Sequence, residues 1–143
     1  MKTKFKLACV LSFSIACACA SVQAQDVVII ANKSVSFSQI SSAQLRAIFI
    51  GAQSQFADGT RAVPIVLKGG PVHEVFLRNH IRENPDEFRV RWRKMVFTGQ
   101  GAMPKEFSSE AALLEYVVAT PGAIGYVSRL SDPNAVQVLA VDH

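Results

Sequence analysis

Residues 64–76, with the sequence PIVLKGGPVHEVF, combine an apolar run, a basic glycine turn and the opening of an amphipathic helix. The apolar run predicts a short buried strand, and Gly69 and Gly70 end it. Pro71 suits the first turn of a helix, because the amide hydrogen that proline lacks would be unpaired there. Backbone N–H groups and a helix dipole would then meet beside the cation Lys68. The stretch predicts either an anion-binding turn or a plain strand-to-helix connection without a ligand.

The N-terminus has the composition of a cleaved export signal. Three lysines precede an uncharged apolar segment, residues 7–20, and a small-residue motif that ends at Ala24 fits signal-peptidase cleavage. The apolar segment is shorter than the roughly 20 residues that a membrane-spanning helix needs. We therefore predict a signal peptide at residues 1–24, a single mature domain at residues 25–143, a periplasmic location and no membrane-spanning segment.

All three cysteines, Cys9, Cys17 and Cys19, lie in the predicted signal peptide. Residues 15–17 loosely resemble a lipid-attachment site, so lipidation is an alternative to cleavage. The usual leucine before such a cysteine and a long polar tether after it are both missing, which disfavours lipidation. With cleavage at Ala24 the mature domain has no disulfide, and its hydrophobic core must hold it together.

Loss of the signal peptide changes the charge of the protein. Residues 1–24 contain three of the 15 Lys and Arg residues and none of the 11 Asp and Glu residues, so the net charge falls from +4 to about +1. A mature domain with so little net charge gives no indication of a nucleic-acid partner. Its 119 of the 143 residues are enough for one sheet-and-helix core.

Strand and helix patterns alternate along the mature domain. Ser41 and Gln44 form a capping-box pattern before the first helix, and Gly51 ends that helix. Asn84 and Glu87 repeat the pattern before the third helix. The alternation predicts an α/β fold, with a mixed sheet and helices on both faces. Strands are predicted at residues 27–31, 62–67, 123–127 and 136–141, and helices begin near residues 41, 71, 84 and 109.

Several short motifs occur in an order that is typical of one protein family. Residues 45–51 contain Leu-x-x-Ile-Phe-Ile-Gly, and residues 121–127 read PGAIGYV, with Phe76 and Trp92 between them. Together they resemble one lobe of the phosphate-type periplasmic substrate-binding proteins of ABC transporters, over about residues 27–130. The resemblance implies an α/β lobe of the periplasmic-binding-protein type, with phosphate or another small oxyanion as ligand. Members usually have two lobes around a cleft, so one lobe implies a protein partner or a second copy that completes it.

The resemblance places the ligand at the Lys68 turn. The two-lobed proteins have an arginine, an acid and Ser-Gly-Thr there, whereas Gly70 and Val72 take the serine and threonine positions in this chain. Both hydroxyls are lost, and Lys68 lacks the planar fork with which arginine holds two oxygens. An alternative is therefore a periplasmic interaction module that keeps the fold and has lost the ligand. The expected ligand-binding residues are Lys68, Gly69, Gly70 and Val72, with Ser38, Thr98 and Gly99 nearby.

Metal and catalytic sites have little support in the sequence. His73 and Glu74, with His80 two helical turns further on, lack a third ligand at a fitting spacing. A solvated or core-edge role is the better interpretation of both histidines. No Ser-His-Asp or Cys-His signature is recognisable. We predict no metal, no cofactor and no enzymatic activity.

The third predicted helix has a basic surface around one tryptophan. Arg89, Arg91, Arg93 and Lys94 are typical of a solvated helix face, and the alternative is a docking patch for an acidic partner or lipid head groups. Trp92 is predicted to lie in the core, packed on the helix that contains Val72.

Overall fold

The computed structural model describes residues 26–143, so the predicted signal peptide and the three cysteines lie outside the described residues. In the part described, no helix is long and apolar enough to cross a membrane. The strands are Val28–Ala31 (β1), Gln39–Ser41 (β2), Val63–Leu67 (β3), Lys105–Phe107 (β4), Ala123–Val127 (β5) and Gln137–Asp142 (β6). The helices are Ser42–Phe49 (α1), Pro71–Phe76 (α2), Pro85–Phe97 (α3) and Glu110–Ala119 (α4), and a π-helical turn, Leu77–Ile81, continues α2.

The six strands form one mixed sheet in the order β2-β6-β1-β5-β3-β4. The central strand β1 is antiparallel to both neighbours, with Ile30 opposite Gly125 on β5 and Val138 on β6. The pairs β2–β6, β3–β4 and β3–β5 are parallel. Every strand except β1 therefore runs in the same direction, and the carboxyl end of β3 and the amino end of β2 lie at opposite ends of the sheet.

Helices cover both faces of the sheet, which confirms the predicted α/β fold. Tyr126 of β5 points to the layer of α1 and α2, since its ring stacks on Phe76 with the ring centroids 3.9 Å apart. Its neighbour Gly125 points to α4, where a Cβ atom at Gly125 would lie 2.9 Å from Leu113 Cδ2. Because successive strand residues alternate between faces, these two positions define the two layers of the core.

The elements found differ from the predicted ones mainly at the edges of the sheet. The four predicted strands are confirmed as β1, β3, β5 and β6, each within one residue of its predicted ends. The edge strands β2 and β4 were not predicted, because three residues are too few to show an alternating pattern. Side chains of Ser41, Asn84 and Ser109 cap α1, α3 and α4, and Asn84 and Glu87 form the predicted capping box.

A buried carboxylate joins the end of the π-helical turn to two helices. Arg82 has a φ of +64°, and its N–H donates to Leu77 O at 2.7 Å. Glu83 follows and is buried, and Arg91 Nε of α3 donates to its Oε1 at 2.7 Å. Arg46 Nη2 of α1 lies 3.7 Å from the same oxygen. Glu83 thereby ties α1 and α3 to the end of the π-helical turn.

Few side chains attach α3 to the core. This helix of 13 residues buries only Phe88 and Trp92. Trp92 is in the core, as predicted, and its indole N–H donates to Phe49 O at 2.9 Å. Its ring also lies against Gly51. These contacts are with the end of α1, whereas the helix of Val72 was the predicted partner.

Candidate functional site

The turn between β3 and α2 carries several free backbone donors. Gly70 has a φ of +94°, a conformation that glycine adopts without strain. Lys68 N–H donates to Phe107 O at 2.9 Å, so this amide belongs to the sheet. The amides of Gly69, Gly70 and Val72 donate to no other described residue. The turn therefore offers three amides and the exposed Lys68 side chain to a ligand.

A buried pair of side chains, Tyr126 and His73, holds this turn from the inside. Tyr126 Oη accepts a hydrogen bond from Leu67 N at 2.9 Å and lies 2.5 Å from His73 Nδ1. Tyr126 is 0% exposed and His73 is 4% exposed. One hydroxyl therefore links the last residue of β3 to the first turn of α2, across the glycines.

The hydrogen bonds of this pair indicate which imidazole nitrogen carries the proton. Burial raises the pKa of Tyr126, so its hydroxyl stays protonated. The only described group near Oη that can accept its proton is His73 Nδ1, so the hydroxyl donates to this nitrogen. His73 is therefore assigned as the tautomer protonated on Nε2. This second N–H donates to no other described residue.

His73 lines a small cavity beside the turn. The cavity has a volume of about 20 Å³, and its polar lining consists of Lys68, His73, Arg89 and Glu106. A space of this size holds one water molecule or a single oxygen atom of a larger ligand. Two basic residues, one histidine and one acidic residue thus line a space for one oxygen.

Stability is expected to fall between pH 7 and pH 5 because of His73. Burial and, to a smaller extent, the charge of Arg89 lower the pKa of His73 from 6.5 to about 4. As the pH falls below 6.5, His73 of the unfolded chain binds a proton, whereas His73 of the folded protein stays neutral until the pH is near 4. Protonation therefore favours the unfolded chain and lowers the stability of the fold. The two pKa values correspond to a loss of about 2 kcal/mol over this range.

Urea denaturation at both pH values measures this loss, with His73→Gln as the comparison. The variant should lose about 2 kcal/mol less stability on acidification than the unsubstituted protein. Equal losses in the two proteins would assign the pH dependence to other groups.

The structure gathers some of the predicted ligand residues and separates others. Ser38 precedes β2, at the end of the sheet opposite to Lys68. Thr98 caps the end of α3, where its Oγ1 donates to Lys94 O at 2.9 Å, whereas Arg89 of the same helix lines the cavity. The structure thus separates Ser38 and Thr98 from the turn, and the role of Lys68, Gly69, Gly70 and Val72 in ligand binding stays a prediction.

Three polar residues of the cavity were not among the predicted ligand residues. From sequence, His73 has the spacing of a core-edge residue, and Arg89 has that of a solvated helix face. Glu106 lies on β4, which has no strand pattern of its own. Their convergence depends on the position of α3 and on the pairing of β4 with β3. Neither feature leaves a local signal in the sequence.

The side chains of His73 and His80 each form a hydrogen bond with another side chain. His80 is buried, and its Nε2 lies 3.0 Å from Asp26 Oδ1. His73 and His80 thus each have a side-chain partner, Tyr126 and Asp26. Among residues 26–143, no group of three or more His, Cys, Asp or Glu side chains is placed to hold a metal ion.

Comparison with solved structures shows which proteins share this fold. One is a phosphate ABC transporter substrate-binding protein from Clostridium perfringens, with bound phosphate. It matches with a TM-score of 0.62 at 15% sequence identity, and the matched region covers 81% of this chain and 44% of that protein. PstS from Borrelia burgdorferi has a TM-score of 0.58 at 16% identity, covering 82% and 47%. An ABC-type phosphate transport receptor from Vibrio cholerae has a TM-score of 0.53 at 11% identity, covering 81% and 46%. A scan of protein-family models and a sequence comparison with curated proteins give no match.

The chain has the fold of the phosphate-type substrate-binding proteins of ABC transporters, which confirms the fold that its motifs predict. It spans less than half the length of each of these three proteins. Two of them are described as a substrate-binding protein and a transport receptor. At these identities the likeness concerns the fold alone, so the ligand must be argued from the residues of this chain.

Proposed function

We propose that this chain captures a small oxyanion, phosphate first, at the cavity beside the Lys68 turn. The observation that carries the proposal is the convergence of Lys68, Arg89 and His73 on a space for one oxygen. One ligand oxygen would enter the cavity and accept from His73 Nε2. The other oxygens would remain outside, within reach of the two cations and the turn amides. Capture of this kind is non-covalent and needs no catalytic group.

Glu106 favours an oxyanion that carries a proton. Its carboxylate lines the cavity and forms no ion pair with another described residue. A carboxylate repels a fully ionised oxyanion, but it accepts a hydrogen bond from a protonated one. Phosphate keeps a proton at neutral pH and sulfate does not. This difference makes phosphate the first candidate among the common oxyanions.

The proposed site is open to solvent on one side. No serine or threonine lines the cavity, whose polar residues are Lys68, His73, Arg89 and Glu106. The chain also spans less than half the length of the phosphate-binding proteins with the same fold. We therefore propose that a protein partner or a second copy completes the cleft, in the periplasm, after removal of residues 1–24.

Calorimetric titration of the purified protein with phosphate tests the proposal. We expect saturable heat with a Kd below about 1 mM, and Lys68→Ala should weaken binding at least about 10-fold through loss of a charged contact. Lys33 is an exposed lysine beyond β1, at the other end of the sheet, so Lys33→Ala is the matched control and should bind normally. Sulfate should bind at least about 10-fold more weakly than phosphate, and Glu106→Gln should reduce that difference. Absence of heat at millimolar phosphate would exclude the proposed site.

The second candidate function is an interaction module that has lost its ligand. The lack of hydroxyl groups at the cavity favours it, as do the exposed apolar side chains of α3. The same titration separates the two candidates, because an interaction module that has lost its ligand would be folded but would release no heat on titration with phosphate.

A further inference from the structure

Exposed apolar side chains concentrate at the end of α3 and in the loop that follows it. Phe97 is 92% exposed, Val96 is 44% exposed and Met103 is 40% exposed. Four of the six large apolar residues that are exposed in residues 26–143 belong to α3 or this loop. They are Val90, Val96, Phe97 and Met103, whereas the other two, Val118 and Val138, lie on α4 and β6. Such a concentration is typical of an interaction surface.

Three of these side chains line a groove between α3 and β4. The groove has a volume of about 420 Å³, and its apolar lining is Val96, Phe97 and Met103. Arg89 and Arg93, one helical turn apart, line its α3 side, and Glu106 lines its β4 side. No other side chain of the described residues fills it. The groove is therefore an apolar channel with a basic wall, of a size that takes one or two side chains.

The basic wall of this groove is incompletely neutralised. Arg93 forms no ion pair with another described residue, and Arg89 contacts only the exposed Asp86, at 3.4 Å. An exposed contact of this length contributes little. Two arginine side chains are therefore available to acidic groups of a partner.

The edge strand β4 adds one unpaired peptide position beside the groove. Phe107 lies opposite Leu67, and its carbonyl oxygen accepts from Lys68 N–H. In a parallel pair, the N–H and C=O groups of one residue point to the partner strand and those of the next residue point away from it. Because Phe107 bonds β3, the N–H and C=O of its neighbour Glu106 point away from β3. An extended peptide along this edge could therefore form hydrogen bonds with the N–H and C=O of Glu106.

We propose that the groove between α3 and β4 binds an extended acidic segment of a partner protein, with one apolar side chain seated among Val96, Phe97 and Met103. The carboxylates of the segment would pair with Arg89 and Arg93, and its backbone would meet Glu106. The groove is concave and carries a carboxylate, which suits a polypeptide better than a flat anionic membrane.

Selection of phage-displayed random peptides on the immobilised protein tests this proposal. We expect enrichment of peptides that combine Asp or Glu with one large apolar residue. For a synthetic copy of a selected peptide, Phe97→Ser and Arg93→Ala should each weaken binding at least about 10-fold in fluorescence anisotropy. Both side chains are exposed, so neither change should disturb folding. The matched controls are Val118→Ser for the exposed apolar side chain and Lys33→Ala for the exposed cation, and both should bind normally.

Arg89, Met103 and Glu106 line both the groove and the anion cavity, whereas Lys68 lines only the cavity. Lys68→Ala should therefore leave peptide affinity within about twofold while it weakens phosphate binding. No enriched peptides, or affinity that is insensitive to Phe97 and Arg93, would overturn the proposal. Two other results would also overturn it: flotation with phosphatidylglycerol vesicles that Phe97→Ser abolishes, or a dimer in analytical ultracentrifugation that Phe97→Ser dissociates.

Discussion

Gly122→Ala is expected to lower the free energy of unfolding by at least about 3 kcal/mol. Gly122 has a φ of +75°, where an L-residue is less stable than glycine by about 1–2 kcal/mol. A Cβ atom there would also lie 2.2 Å from Arg61 O, which is backbone and cannot rotate away. Relief of this overlap requires the start of β5 to move from β3, where Val63 N–H donates to Gly122 O at 2.9 Å.

Gly59→Ala is the matched control for Gly122→Ala. Gly59 has a similar φ of +85°, but no atom lies within 4 Å of the position of its Cβ. The control should therefore show only the conformational cost, about 1–2 kcal/mol. Urea denaturation followed by the fluorescence of Trp92, the single tryptophan, measures both variants. Similar losses in the two proteins would mean that the contact with Arg61 does not restrict this position.

Tyr126→Phe is expected to destabilise the protein by about 3 kcal/mol, with the ring and its packing retained. Loss of the hydroxyl leaves Leu67 N–H without its acceptor and His73 Nδ1 without its donor. A buried polar group without a partner is destabilising by about 1–3 kcal/mol, and here there are two. The same hydroxyl spans the Lys68 turn, so the variant should also bind phosphate more weakly.

Tyr116→Phe provides the comparison for Tyr126→Phe. Tyr116 is half-buried on α4, and its hydroxyl forms no hydrogen bond with another described residue. Its loss should change the stability by less than about 0.5 kcal/mol. Chemical denaturation at pH 7 gives both values. A small effect at Tyr126 would show that water or a shifted His73 satisfies the orphaned groups.

These two predictions also give a physical account of the motif PGAIGYV. Gly122 permits a close approach of the chain at Arg61, and Gly125 leaves room for Leu113 of α4. Tyr126 reaches from the sheet to the turn between β3 and α2. The motif therefore encodes packing around the turn, and a resemblance based on it predicts the fold better than the ligand.

The local elements could be predicted because their signals are local. The apolar run before Lys68 forms β3, and Ser41 and Asn84 cap the helices that follow them. Each signal depends on residues within one or two turns of the chain. The three-residue strands β2 and β4 could not be predicted in this way, since pairing with β6 and β3 defines them.

The candidate site was only partly predictable for the same reason. The Lys68 turn is continuous in sequence, so its glycines and its cation are visible there. Ser38 and Thr98 were placed near it without knowledge of the strand order, and that order puts Ser38 at the opposite end of the sheet. Arg89 and Glu106 reach the cavity from α3 and β4, which sequence spacing does not relate.

The α/β class, the main strands and helices and the position of the glycine turn could all be predicted from local sequence patterns. These follow from apolar periodicity, capping residues and glycine, which act over a few residues. Tertiary packing, by contrast, buries His73 against Tyr126 and brings Lys68, Arg89 and Glu106 to one cavity. It also decided that a 13-residue helix buries only two side chains and leaves Phe97 exposed. Such features depend on strand order and helix placement, because they join residues that are far apart in the chain.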